Sequence, residues 1–286
     1  ADRVGMQTLA LADFEPRDMP NFFERLQEAS RHYAGNVPEF LRTHPVTTDR
    51  IAEARDRAEK YPAYSRKDTP LYHLMRAKLL VLVTDDKQRL LNMLQKMFEE
   101  GSYRDERAIR YAIALTLLAT RKTDGVQTQI DWLLKNDGDR VIYRLLKASL
   151  VLLQNNFTAA MQVYEQALQI YPGDHMLGMD YAQTLLQNNV GQKAKMVLLT
   201  LSPGSNPQYY HLLAQAYQSI GKKAQAYFAM ADNYYLMGKT SLAVEQLKRA
   251  RQFVAQDNFY LASRIDARLR ELRKELREEK NAAERR

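Results

Sequence analysis

Apolar residues recur at three- and four-residue spacings along most of the chain, and no stretch shows the strict apolar–polar alternation of a half-buried strand. The pattern predicts helices over 2–13, 17–33, 69–84, 87–99, 104–120, 125–136, 140–154, 157–171, 175–188, 191–201, 207–220, 222–237, 240–256 and 258–279. A further helix is expected from a cap at Thr47 or Thr48 to about Lys60, stopping before Pro62. Phe22, Phe23, Leu26 and Tyr33 make the apolar face of the second helix. Turn residues punctuate the series at Asp85-Asp86, Gly101, Asp124-Gly125, Gly138, Asn155-Asn156, Pro172-Gly173, Asn188-Asn189, Pro203-Gly204, Gly221 and Gly238. The fold class is all-α.

Two textures divide the chain. Residues 1–65 hold three helices and an irregular stretch from Gly35 to Pro45, whereas 66–286 alternates helices with short turns. The second part repeats itself. Leu152-Leu153-Gln154-Asn155-Asn156 returns as Leu185-Leu186-Gln187-Asn188-Asn189, and Ala77, Ala112, Ala148, Ala182 and Ala214 fall in alternate helices at near-regular spacing. A helix-pair period of about 34 residues is that of a tetratricopeptide array. A lone helix pair cannot bury its apolar face, and stacking supplies the missing partner. The unit from Tyr143 to Pro172 carries the pattern best, with Ala148, Ala160, Tyr164, Ala167 and Pro172 in the small, small, aromatic, small and proline places. Tyr164, Tyr217, Phe228 and Tyr234 are expected to fill gaps between turns, as are most other tyrosines. Tyr209-Tyr210 and Tyr234-Tyr235 are alternative groove liners. Leu261, Ile265, Leu269, Leu272 and Leu276 form one stripe on the last helix, which reads as the cap of the array, with residues 281–286 frayed.

Composition narrows the chemistry. Only 11 Gly and 9 Pro among 286 residues argue against a many-stranded fold. The absence of cysteine removes disulfides, thiol catalysis and thiolate zinc sites. The net charge of +8 is spread among interspersed acids and bases, without the clustered footprint of a nucleic-acid surface, so no nucleic-acid partner is expected. No apolar run approaches the ~18 residues of a membrane span. The first helix starts at Ala1-Asp2 with neither a Met start nor a cap, which reads as a piece of a longer protein and leaves localisation open.

The five histidines (His32, His44, His73, His175, His211) include no pair at zinc-helix spacing, and no phosphate-binding glycine loop or serine elbow occurs. Taken alone, the residues make no complete active site. Two fragments stand out: Ala1-Asp2, and Thr43-His44-Pro45-Val46-Thr47-Thr48-Asp49-Arg50-Ile51. Together they resemble the bacterial HtpX-like zinc metallopeptidases, in which a helix bears Glu-x-x-Ala-Asp and a later His-Pro-x-x-x-x-Arg-Ile segment lies by the metal. Phe14–Met19 is similar to the family's helix–helix turn.

The resemblance implies an all-α remnant of a metallopeptidase domain over 1–65, followed by a tetratricopeptide-type helical-hairpin solenoid over 66–286. It implies zinc in the intact protein, with two His ligands, the base Glu and the ligand Glu upstream of Ala1, so this chain alone is expected to bind no zinc and cleave nothing. Asp2 would orient a metal-ligating His. His44 would approach the zinc, either to support the oxyanion or to fill a metal position and hold the enzyme off. Arg50 would hold the segment after His44 by pairing with a carboxylate. An imidazole titrating near about 6.5 can be either a neutral ligand or a charged donor, and a ligand in the open fourth position of a zinc site blocks hydrolysis. The pairing with a repeat tail resembles periplasmic members that assist or degrade outer-membrane β-barrel proteins. It implies those proteins and their assembly machinery as partners, with a contact between solenoid and peptidase part. The alternative is a non-enzymatic repeat adaptor whose first 65 residues are a helical cap.

Overall fold

The computed structural model describes residues 1–32, 46–62 and 68–284. Among them are fifteen helices and no strand. The chain forms two compact units, Ala1–Tyr72 and His73–Arg286.

The first unit holds α1 (Asp2–Leu11), α2 (Asp18–His32) and α3 (Thr48–Glu59). Helix α1 stops two residues early because Asp13 turns left-handed at φ 59°. The turn into α2 is set by Glu15, whose carboxylate accepts from the Arg17 backbone N–H and guanidinium, both at 3.0 Å. Thr47 is the cap of α3, its hydroxyl accepting from Arg50 N at 3.2 Å. Met6, Phe23, Ile51, Ala54 and Ala58 make the core, with Met19, Val46 and Tyr61 against it.

Helix α4 (Pro70–Val83) spans the division between the units and begins on a proline, which costs no hydrogen bond at a first helical position. The second unit continues through α5 (Lys87–Glu99), α6 (Glu106–Ala119), α7 (Val126–Asp137), α8 (Val141–Leu153), α9 (Phe157–Ile170), α10 (His175–Gln187), α11 (Gly191–Leu199), α12 (Pro207–Ser219), α13 (Lys223–Leu236), α14 (Thr240–Gln252) and α15 (Phe259–Glu284). From α5 onward each helix packs on the next, and α6, α8, α10 and α12 also pack on one another. That is the contact pattern of stacked hairpins. The recurring alanines lie at these close approaches; Ala112, Ala148, Ala182 and Ala214 are all buried.

Tyr164 and Tyr181 are buried and stack with ring centres 4.8 Å apart. The Tyr164 hydroxyl donates to Asp180 Oδ2 at 2.5 Å, and that of Tyr181 to Glu165 Oε1 at 2.9 Å. Lys193 pairs with Glu165 from α11. Two glycines permit the tightest crossings. A Cβ on Gly178 would fall 2.7 Å from Leu201 Cδ2, and one on Gly191 only 1.7 Å from Ser219 Oγ.

Polar clamps join neighbouring hairpins. Asp137, at the end of α7, accepts from Arg140 Nε at 2.5 Å, from the Tyr143 hydroxyl at 2.7 Å and from Arg107 Nη1 at 3.3 Å. Arg110 lies between two aromatic faces, 4.5 Å from the Phe98 ring centre and 4.3 Å from that of Trp132. The tyrosine pairs serve packing. Tyr209 is buried with its hydroxyl on Leu198 O at 3.1 Å, and Tyr210 meets it edge-on. Tyr234 and Tyr235 lie against the core under α15.

Two expectations need correction. Helix α15 runs to Glu284 rather than ending at 279, because 271–284 contains neither Gly nor Pro and is rich in strong helix formers. The two Leu-Leu-Gln-Asn-Asn copies are not equivalent in space. They lie 33 residues apart, whereas the left-handed turn residues are Asn155 and Asn189, 34 apart, so the second copy is displaced by one position.

Candidate functional site

Of the residues singled out in the first unit, Asp2 and Arg50 come together. Arg50, in the first turn of α3, donates from Nε to Asp2 Oδ2 at 2.5 Å and from Nη2 to Asp2 Oδ1 at 2.7 Å. The fork matches both carboxylate oxygens, the strongest geometry such a pair adopts. Each side chain is about one-third exposed, 30% for Arg50 and 31% for Asp2. Asp2 also occupies the first turn of α1, where the positive end of the helix dipole favours a carboxylate. The Arg50 hydrogen bond holds the Asp2 carboxyl below its ordinary range and outweighs the opposing effect of burial. The guanidinium is itself raised, chiefly by Asp2.

Two supporting groups were not foreseen. The Phe23 ring lies 4.7 Å from the Arg50 guanidinium carbon and covers one face of it. Gln27, one turn further along α2, donates from Nε2 to Val46 O at 3.2 Å and so holds the backbone two residues after His44. The apolar pattern marks Phe23 as core but says nothing of a cation above it, and a single Gln on a helix carries no spacing signal. A cavity of about 210 Å³ beside the pair is lined by Arg3, Met6, Glu53 and Arg57. His44 lies outside the described residues.

The ion pair should bind α1 to α3. Arg50→Lys keeps the charge but loses the fork. Its expected cost of about 1 kcal/mol should appear as a roughly fivefold faster hydrogen exchange of α1 amides, with no further loss when Asp2→Asn is added. Equal exchange in wild type and variant would remove the coupling.

Zinc finds no home among these groups. Both Asp2 oxygens are engaged by Arg50, and among the described residues no three His, Asp or Glu side chains converge where they could hold a metal. The described residues do not by themselves fit the ion.

This arrangement, a three-helix unit clamped by an acid and an arginine and followed by stacked hairpins, corresponds to two family models. Residues 1–58 match peptidase family M48, and residues 151–216 match the tetratricopeptide repeat. The first unit is thus similar to a segment of that peptidase family, and part of the hairpin array to that repeat. The chain is similar to the β-barrel assembly-enhancing protease of Escherichia coli (strain K12), at 29% identity over 96% of this chain and 56% of the relative. The same protease from Yersinia pestis matches at 29% over the same shares, and the putative one from Vibrio cholerae at 29% over 95% of this chain and 56% of its own length. The chain spans about half the length of these curated relatives. No helix among the described residues is long and apolar enough to cross a membrane.

Proposed function

We propose that this chain forms part of a periplasmic zinc metalloendopeptidase, supplying one wall of the peptidase site and the repeat array that holds its clients. The clients are outer-membrane β-barrel proteins, or the array docks on the machinery that assembles them. The observation that carries this is the Asp2–Arg50 clamp, since it joins the two motif pieces that the peptidase resemblance rests on. The relatives' name and the M48 match support it.

In this reading the zinc ligands and the general base come from groups outside this chain. A zinc ion held by those groups would supply an activated water and a Lewis acid for the scissile carbonyl. The chain's own residues position the wall: Arg50 fixes Asp2 and the start of α3, and Gln27 fixes the backbone at Val46. Asp2 keeps acceptor capacity to orient a ligand histidine beside its contact with Arg50.

Two measurements test this. The 286-residue chain, incubated with zinc and dialysed, is expected to retain no stoichiometric metal and to leave casein intact; chelator-sensitive casein cleavage by this chain would overturn the assignment of ligands elsewhere. In the full-length protein, Arg50→Ala is expected to lower kcat/KM for casein by at least tenfold while the fold survives by circular dichroism. His44→Ala should change turnover, upward if the imidazole blocks the metal and downward if it supports the oxyanion. Unchanged turnover in both variants would remove the site.

A further inference from the structure

The chain has no cysteine, so its soft donor atoms are the thioether sulfurs of 11 methionines. Two of them stand beside a histidine at the start of α10, in the run His175-Met176-Leu177-Gly178-Met179. Residues three and four apart share one face of a helix. Met179 is three residues from Met176 and four from His175, so it lies between them on that face. Leu177 and Gly178 point the other way and are buried. His175, Met176 and Met179 all line one groove, with Leu145 of α8 and Leu212 of α12.

The three donors are open to a ligand. Met179 rests against the core, whereas Met176 is 43% exposed. The Met176 sulfur accepts a long 3.9 Å contact from the Lys78 ammonium, so a sulfur lone pair already faces a cation. His175 is half-buried, and among the described residues its ring nitrogens have no hydrogen-bond partner. One imidazole and two thioethers, without a thiolate, form a soft set that suits Cu(I). Mg²⁺ and Ca²⁺ take oxygen ligands, and Zn²⁺ is held by thiolates, several imidazoles or carboxylates.

Charge nearby permits a cation. Asp180 lines the same groove, its carboxylate held by the Tyr164 hydroxyl, and Asp174 caps α10 through Leu177 N at 2.9 Å. These two anions offset Lys78 and the positive end of the helix. His73, Met93 and Met97 share another groove, but Arg76 and Arg104 line it and its one carboxylate, Asp105, is paired with Arg107, so a cation is repelled there.

We propose that His175, Met176 and Met179 bind one Cu(I) ion, through an imidazole nitrogen and two thioether sulfurs. The site goes beyond the peptidase reading and uses none of its residues. Its test involves no cleavage, so its failure would leave that reading untouched.

The experiment is methyl-¹³C methionine NMR on the 286-residue chain, titrated with Cu(I) under argon. One equivalent should shift two of the 11 methyl signals, the two that disappear in Met176→Leu and Met179→Leu. These replacements nearly conserve volume, so the melting curve should survive them. Each of them, and His175→Gln, should weaken Cu(I) binding at least tenfold against a chromogenic chelator, the scale of about 1.4 kcal/mol. Lys78→Ala should tighten it, because a cation facing the site is gone. Zn²⁺ at the same concentration should move neither signal. Shifts spread over other methionines would mean adventitious thioether binding only and would overturn the proposal. So would undiminished affinity in the Met176→Leu/Met179→Leu variant, weaker binding in Lys78→Ala, or an equal response to Zn²⁺.

Discussion

Asp137→Ala should destabilise the front half of the repeat array by about 3 kcal/mol, measured as a shift of the urea midpoint at neutral pH. The side chain is only 5% exposed and holds three elements at once: Arg107 of α6, the end of α7, and Arg140 and Tyr143 at the start of α8. A carboxylate at a helix C-terminus is unfavourable by itself, so its place here depends on those partners. Truncation would leave a buried phenol without its acceptor and Arg140 without its anion, while Arg107 would keep only Asp105, and breaking such a set by removing one partner is costly. Burial alone would push the Asp137 carboxyl up. The hydrogen bonds from Arg140 and Tyr143 and the two guanidinium charges win, so it lies below the ordinary range. Folding therefore gains from the ionised form. That gain is present above the unfolded carboxylate value of about 3.9 and is lost as the pH falls through the lower folded value. The gap between wild type and Asp137→Asn should accordingly be constant near pH 7 and shrink below about pH 4. A gap independent of pH would show that the carboxylate charge contributes nothing.

Tyr164→Ala is expected to cost about 3–5 kcal/mol, the range for deleting a buried aromatic ring. The ring is 1% exposed, stacks on Tyr181 and sits where α9 meets α10. Tyr164→Phe separates the hydroxyl from the ring. It removes the bond to Asp180 and should cost about 1.5 kcal/mol, near the low end for a bond to a charged group because Asp180 is half-exposed. Asp180 also lines a groove of about 320 Å³ with His175, Met179 and Gln183. The phenol thus fixes the position of that carboxylate on an open groove. Unchanged urea midpoints in Tyr164→Phe would show that the hydroxyl contributes nothing.

Helix positions were readable because each is a long periodic segment bounded by a turn residue. Thr47, Asp86, Asp105, Asn156, Asp174 and Asn206 all accept from backbone N–H groups at helix starts, as their residue types favour. Register was less readable. The doubled pentapeptide is a real identity of letters, but the turn is set by which residue takes the left-handed conformation, and Asn fills that role at either of two adjacent places. The site was readable only in part. Asp2 and Arg50 stand 48 residues apart, and their meeting depends on α1 packing on α3 through Met6 and Ile51, which no local spacing encodes. The Phe23 face over the guanidinium and the Asp137 clamp are likewise tertiary, because each unites residues from different helices.

The chain has a single tryptophan, and Arg110 covers one of its faces. Indole emission is therefore a local gauge of the α5–α7 stack and silent on the α13–α15 end. In an array held together by nearest neighbours, the two ends need not melt together. An emission-monitored urea curve and a circular-dichroism curve of the same sample should then part company, and the gap between their midpoints would measure how far cooperativity travels along the stacked helices.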